Sequence, residues 1–124
     1  MISALAELDA RFSELAADLR KNPAVLVTSA RLTPRSYTSG DRVECYVDAE
    51  LTSGNTVGFW LEFGNSTGYW IIESSIRINR DEGEDELVSL ANRYAVEVDE
   101  LIVEARSATD AIFNAAQDLD LSAL

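Results

Sequence analysis

The stretch VECYVDAELTSGNTVGFWLEFGNSTGYWIIESSIRI, residues 43–78, decides the fold, because apolar and polar residues alternate along three runs within it. Such alternation is typical of strands with one face in the core and the other in solvent. The runs are separated by TSGNT at 52–56 and GNSTG at 64–68, which consist of residues that form tight turns. The stretch therefore predicts three consecutive antiparallel strands joined by hairpins.

Further strands are predicted on both sides of this stretch. Residues Ala24–Leu32 form a first strand candidate, and TPRSYTSGD at 33–41 is predicted to be a polar loop because it contains proline and glycine. After the third run, NRDEGED at 79–85 predicts another polar turn. Residues Glu86–Leu90 fit a fifth strand or an early helical turn, and we favour the strand.

Two segments have helical periodicity instead. Near the N-terminus, apolar residues recur at spacings of three and four and predict an amphipathic helix over about residues 3–21, ended by Asn22 and Pro23: Leu5, Leu8, Phe12, Leu15 and Leu19. A coiled-coil seam has the same spacing, but three turns are too few to favour it. The period returns from about Val96, which predicts a long C-terminal helix with three acidic residues in its first turn: Glu97, Asp99 and Glu100.

These elements predict one compact α+β domain over residues 1–124. Its antiparallel sheet has four to five strands in meander order, and the N-terminal and C-terminal helices both pack on one sheet face. A chain of 124 residues is long enough to bury one core. We therefore expect no second domain.

The charge balance points to the kind of partner. Twenty-two acidic residues against ten basic ones leave a net charge of −12, which repels nucleic acid and anionic membranes and favours a basic partner. Nine of the ten basic residues are arginine, and a G+C-rich or salt-adapted source could produce the same imbalance. The apolar runs are too short to cross a bilayer, the N-terminus does not resemble a secretory signal, and the single cysteine, Cys45, fits a reducing compartment. We expect a cytoplasmic protein that does not bind membranes.

The segment GNSTG also fits the G-x-S-x-G pattern of a nucleophilic serine at Ser66. That pattern needs a helix after the serine and a base to take its proton. An alternating strand pattern follows instead, and the chain contains no histidine. We interpret Ser66 as a hairpin-turn residue.

Other chemistry is also disfavoured by the residue types present. The lack of histidine and the single cysteine exclude the usual zinc sites and the commonest general base. The acidic run at 81–86 does not match the spacing of a calcium loop, and no glycine-rich segment opens a helix as a phosphate site would. We predict no metal, no cofactor and no enzymatic activity.

The outward positions of the strands contain the candidate binding residues. Acidic and aromatic side chains alternate with the apolar core set, and we predict that the centre of a binding surface consists of Tyr46, Trp60, Glu62, Tyr69 and Glu73, with Glu44, Asp48 and Glu50 around it. Aromatic residues anchor protein interfaces, and carboxylates orient a basic partner. Solvation of an open sheet face explains the same pattern without a partner. A third possibility is catalysis by Glu62 and Glu73 as a carboxylate pair.

The leading hypothesis is a non-enzymatic binding module that captures a basic protein partner through this acidic and aromatic face. In size, charge and lack of catalytic groups the chain is similar to toxin-immunity proteins and secretion chaperones, a likeness that covers no specific residues. The alternative is a structural homo-oligomer, because outward Trp60 and Ile71 would be covered by a second copy in a homodimer formed through the sheet or its edge.

Overall fold

A computed structural model describes residues 2–37, 40–66, 68–90 and 92–124, with side chains within 5–33, 42–65, 68–90 and 92–124. The elements in chain order are α1 (Ile2–Arg20), β1 (Val25–Tyr37), β2 (Gly40–Leu51), β3 (Thr56–Ser66), β4 (Tyr69–Arg80), β5 (Gly83–Ser89), β6 (Arg93–Val96) and α2 (Leu101–Asp118). A short 3-10 helix, Leu121–Ala123, follows α2. The predicted α+β order of helix, strands and helix is confirmed.

The six strands form one antiparallel sheet in the order β1-β2-β3-β4-β5, with β6 also paired to β4. Strand β5 pairs with β4 from Ser75 to Arg80, whereas β6 pairs with it at Trp70 and Ile72. The two short strands therefore follow one another along the same edge of β4. Between them, the side-chain Oδ1 of Asn92 accepts a hydrogen bond from the Ser74 N–H at 3.3 Å.

Both helices cover the same face of this sheet, as the alternation predicted. Helix α1 packs on β1 and β2, while α2 packs chiefly on β4, and the two helices also touch each other. The core between helices and sheet contains the apolar stripe of α1 and the inward residues of the central strands, including Phe12, Phe59, Phe63, Ile76 and Ile112. Ion pairs of Arg11 with Asp110 and of Arg106 with Glu7 join the exposed sides of α1 and α2.

The first strand is longer than predicted. The segment 33–41 was expected to be a loop, but β1 continues to Tyr37 and β2 begins at Gly40, while residues 38 and 39 lie outside the described residues. Pro34 pairs in register with Val43 within this hairpin. Proline is tolerated there because β1 is an edge strand, where a missing N–H need not break the ladder.

The other hairpins agree with the predicted turns. Gly54, with a φ of +93°, lies in the turn between β2 and β3. Strand β5 is present and begins at Gly83, three residues before the predicted start at Glu86. A strand is favoured there because Arg80 pairs directly with Gly83, whose φ of +137° suits glycine alone.

The predicted start of the C-terminal helix at about Val96 is wrong. Val96 belongs to β6, where it is buried opposite Trp70, and α2 begins only at Leu101. Glu97, Asp99 and Glu100 therefore precede the helix rather than occupy its first turn, which contains Glu104. The valines at 96 and 98 fit a helical period by chance, since a four-residue strand is too short to have a period of its own.

Candidate functional site

The candidate site is the side of the sheet opposite the helices. We define the outer face as the side chains of β2, β3 and β4 that alternate with the buried core residues, namely the even-numbered positions 42–50 and 56–64 and the odd-numbered positions 71–79. The core and both described helices lie on the other side. The outer face is therefore open to a partner over the part of the chain that the structure describes.

Three glutamates stand directly across from one another on this face. The strand register pairs Glu44 with Glu62 and Glu62 with Glu73. We call these three residues the glutamate row. Directly opposed residues have Cβ atoms about 4.5–5.5 Å apart, and like charges in such positions destabilise a sheet. The row therefore concentrates negative charge at a cost to folding.

Two members of the glutamate row have partners within the chain. Glu62 forms an ion pair with Arg42 at 2.7 Å, and 13% of the Glu62 side chain is exposed. The Tyr46 hydroxyl donates a hydrogen bond to the Glu44 carboxylate at 3.1 Å. Among the described side chains, no cation or hydrogen-bond donor pairs with the carboxylate of Glu73. Glu73 is thus the member best placed to meet a cation from outside.

Two aromatic residues lie beside the glutamate row, two residues away from it along β2 and β3. Tyr46 pairs with Trp60, and each ring has an arginine of the same chain over it. The guanidinium carbon of Arg31 is 5.8 Å from the Tyr46 ring centroid, and that of Arg77 is 5.3 Å from the Trp60 centroid. Stacking of this kind contributes about 0.5–1 kcal/mol at exposed sites. We call Tyr46 and Trp60 the aromatic row.

Burial and the neighbouring carboxylates change the pKa of the Tyr46 phenol. Burial raises the pKa of its phenol above the usual 10.0, and the hydrogen bond to Glu44 and the negative charges of Glu44 and Glu62 raise it further, while the Trp60 indole N–H acts in the opposite direction. The phenol accordingly stays protonated and remains a donor to Glu44. The glutamate and aromatic rows are electrostatically connected through this residue.

The remaining predicted residues lie farther from the centre. Asp48 is opposite Gly58 and forms an ion pair with Arg31 at 3.1 Å, and Glu50 is exposed at the far end of β2. Tyr69, half exposed, is at the hairpin end of β4, four residues from Glu73 or roughly 13 Å along the strand. The structure thus brings Tyr46, Trp60 and the glutamate row together, but it separates Tyr69 from them.

Three arginines of this site were not among the predicted binding residues. Arg42 and Arg77 alternate on the same side as the acidic residues, so the strand pattern could have indicated them. Arg31 was harder to place, because its position beside Tyr46 depends on the register between β1 and β2. With these three arginines included, this side of the sheet has three guanidinium groups and five carboxylates. The carboxylates are those of Glu44, Asp48, Glu50, Glu62 and Glu73. The face is negative but partly neutralised.

Ser66 and Cys45 are potential nucleophiles by residue type, but Ser66 ends a strand and Cys45 lies in the core. Strand β3 ends at Ser66, which pairs with Tyr69 of β4, so the next element is a strand and the elbow geometry is not formed. Cys45 is fully buried in the core, where burial and, to a smaller extent, Asp9 raise the pKa of its thiol from 9.0 to about 12. That thiol remains protonated and unreactive at neutral pH.

One group of carboxylates is close enough for a metal ion. Glu97, Asp99 and Glu100 bring oxygen atoms within 4.8 Å of one another ahead of α2, and all three residues are exposed. Exposed acidic residues commonly cluster without a metal, so the cluster carries no assignment. It does provide a matched set of three carboxylates away from the outer face.

None of the helices in the described part of the chain has both the length and the apolar character of a membrane-spanning segment.

Among known proteins, no protein-family model, curated protein or solved structure matches the chain.

Proposed function

We propose that the protein is a non-enzymatic binding module that receives a basic segment of a partner protein on the outer face, across the glutamate and aromatic rows. The observation that carries the proposal is the direct opposition of Glu44, Glu62 and Glu73 on three adjacent strands of an open face. Basic protein partners are also favoured by the net charge of −12.

The glutamate row supports binding because it is costly without a partner. Opposed like charges lower sheet stability, and residues that serve function at the expense of stability are common at binding sites. Arg42 offsets part of the cost at Glu62, and the Tyr46 hydroxyl offsets part at Glu44. A lysine or arginine of the partner that reaches Glu73 would offset the rest. The row thus selects for positive charge.

The aromatic row supplies the apolar part of the proposed contact. Trp60 is half-buried beneath Arg77, so an incoming residue meets both a ring and a guanidinium plane. Arg77 is also held by a hydrogen bond to the Ser75 hydroxyl oxygen at 3.0 Å and by an ion pair with Glu84 at 2.9 Å, so a partner meets its guanidinium in this position. Tryptophan is among the residues that contribute most to interfaces, and replacing Trp60 with alanine is expected to weaken binding by about 2 kcal/mol or more.

Binding is favoured over catalysis by the state of the carboxylate pair. Glu62 and Glu73 do oppose each other, as a glycosidase-like pair would require, but Glu62 is engaged by Arg42 at 2.7 Å. The sequence also contains no histidine to serve as a base. A cytoplasmic protein that neutralises or escorts a basic partner, of the toxin-immunity or secretion-chaperone type, is the class that such a face suits.

The test compares three baits in a lysate of the source organism. The first is the wild type, the second carries Glu44→Gln, Glu62→Gln and Glu73→Gln, and the third carries Glu97→Gln, Asp99→Asn and Glu100→Gln. Both variants lose three negative charges, so a non-specific attraction by net charge would weaken equally in both. We expect a basic protein to be retained by the wild type and the third bait, released by salt, and lost from the second. Equal retention by all three baits would refute the proposal.

A further inference from the structure

The free edge of β1 is a second surface of the sheet, distinct from the outer face. In the sheet order β1 pairs with β2 alone, so among the described residues the backbone N–H and C=O groups along its other edge have no strand to pair with. Two apolar residues near the start of the strand are exposed, Leu26 at 58% and Val27 at 51%. An edge strand of this kind can accept a further strand through its backbone.

The sequence around this edge is the longest stretch of the chain without an acidic residue. Residues 19–40 contain no aspartate or glutamate, and they contain four of the ten basic residues: Arg20, Lys21, Arg31 and Arg35. The next longest run without an acidic residue, 51–61, is half that length. The net charge of −12 is therefore distributed unevenly, and positive charge is concentrated in the segment that leads into β1 and forms it.

A groove of about 450 Å³ runs between α1 and β1 on the helix side of this edge. Its described lining includes the cations of Arg20 and Lys21 and the hydroxyl groups of Ser13 and Thr28. The other described lining residues are alanines, and none is acidic. The groove thus combines room for side chains with groups that bind a carboxylate.

Both cations of the groove are available to a carboxylate from outside. Arg20 forms no ion pair with any described residue. Lys21 reaches Asp18 only at 3.4 Å, with 80% of the lysine side chain exposed. Exposed ion pairs of this kind contribute little to stability, so a closer carboxylate can replace Asp18.

The outer side of the same edge has the opposite character. Strand β2 places Glu50 opposite Val27 and Asp48 opposite Ser29, and Asp48 already forms an ion pair with Arg31 at 3.1 Å. Carboxylates of an added strand are therefore favoured on the helix side alone. Apolar residues are favoured on the outer side, where Val27 is exposed.

We propose that β1 accepts an extended acidic segment of another protein as a further strand, with two carboxylates, one residue apart, in the groove. Alternate residues of a strand face the same side and lie about 6.6–6.8 Å apart. Such carboxylates stand beside Thr28 and Ala30, which line the groove together with Arg20 and Lys21. The backbone ladder supplies affinity and the groove supplies specificity. Pairing ends before Pro34, which has no N–H to donate.

The net negative charge of the protein limits what kind of acidic segment can bind. At about 0.15 M salt the Debye length is about 8 Å, so distant exposed carboxylates are largely screened while the groove cations act at contact. A segment that is acidic on both faces would still meet Asp48 and Glu50 on the outer side. The edge therefore suits a segment with carboxylates on one face and apolar residues on the other.

Fluorescence anisotropy at about 0.15 M salt tests the proposal with a labelled synthetic peptide, TVEVEVT, whose two glutamates share one strand face. The control TVEEVVT has the same composition but places its glutamates on opposite faces. A second control is TVEVEVT with N-methyl groups on its three central residues, which block the ladder on both edges. Each control should bind with a Kd about tenfold higher than that of the unmodified TVEVEVT.

Two double variants test the groove with a matched change of charge. Arg20→Gln with Lys21→Gln removes both groove cations, whereas Arg80→Gln with Arg93→Gln removes two arginines of β4 and β6. The first should raise the Kd of TVEVEVT about tenfold, and the second should leave it unchanged. Far-ultraviolet circular dichroism establishes that both variants are folded.

Amide hydrogen exchange then locates the bound peptide. TVEVEVT should slow exchange at alternate residues between 27 and 33 and leave β5, at the opposite edge of the sheet, unchanged. The proposal is overturned if TVEVEVT does not bind at about 1 mM, if either control peptide binds equally well, or if both double variants lose equal affinity. A dimer of the 13.6 kDa chain that protects β1 without peptide would also overturn it, because a second copy would then cover the edge.

Discussion

Neutralising Glu73 should stabilise the free protein while it weakens partner binding. The carboxylate of Glu73 opposes Glu62 across β3 and β4 and pairs with no cation among the described side chains. Two unit charges about 5 Å apart in water repel by about 0.8 kcal/mol, and measured cross-strand terms are about 0.2–1 kcal/mol. We therefore expect Glu73→Gln to raise the free energy of unfolding by about 0.5 kcal/mol at low salt.

Urea denaturation followed by circular dichroism measures this change as a shift of the midpoint at constant slope. The matched control is Glu50→Gln, because Glu50 lies on the same face and loses the same charge but opposes the neutral Thr56. The gain should be large at about 0.01 M salt and nearly absent at about 1 M, where the Debye length falls to about 3 Å. A midpoint that moves no more than the control, or that moves equally at both salt concentrations, would refute the repulsion argument.

Three further predictions concern stability. Between pH 9 and 12 the Cys45 thiol should lower the free energy of unfolding by about 1.4 kcal/mol per pH unit, because its pKa is about 12 in the folded protein and 9.0 in the unfolded chain. In this range the unfolded chain loses the thiol proton while the folded protein keeps it. Denaturation curves of Cys45→Ala should lack that slope, and an unchanged slope would contradict the assignment. Ala95 has a φ of +57° and lies at an irregularity of the pairing, where β6 advances three residues, from Arg93 to Val96, while β4 advances two. Ala95→Gly should therefore raise the free energy of unfolding by about 0.5–1 kcal/mol. A lower denaturation midpoint would count against backbone strain at this residue. Asn92→Ala should cost about 1 kcal/mol through the lost acceptor for the Ser74 N–H, measured in the same way, and a neutral result would mean that water replaces it.

Much of the fold follows from period and turn chemistry alone. The alternation in β2, β3 and β4 fixes which side chains face the helices, because a shift of one residue would expose the whole core set. The glycine-containing turns then fix the hairpins, as the pairing of Ser66 with Tyr69 illustrates. Helix α1 was predicted to within one residue at each end, since its apolar stripe covers its full length.

The errors occur where local pattern and tertiary position disagree. The extension of β1 through Pro34 depends on its edge position, which is a property of the whole sheet. Strand β6 has four residues and exists because the edge of β4 is left open beyond the end of β5. The strand pattern could place Arg77 on the outer face, but which rings Arg31 and Arg77 cover depends on the register between neighbouring strands.

The most direct test of binding at the outer face uses the two tryptophans, because Trp60 lies on that face and Trp70 is in the core. Two single-tryptophan proteins, Trp70→Phe and Trp60→Phe, are titrated with the basic protein fraction of the source organism while emission and acrylamide quenching are followed. The binding account predicts a blue shift and reduced quenching for Trp60, reversed by salt, and no change for Trp70. An unchanged Trp60 signal across the titration, or equal changes in both proteins, would contradict it.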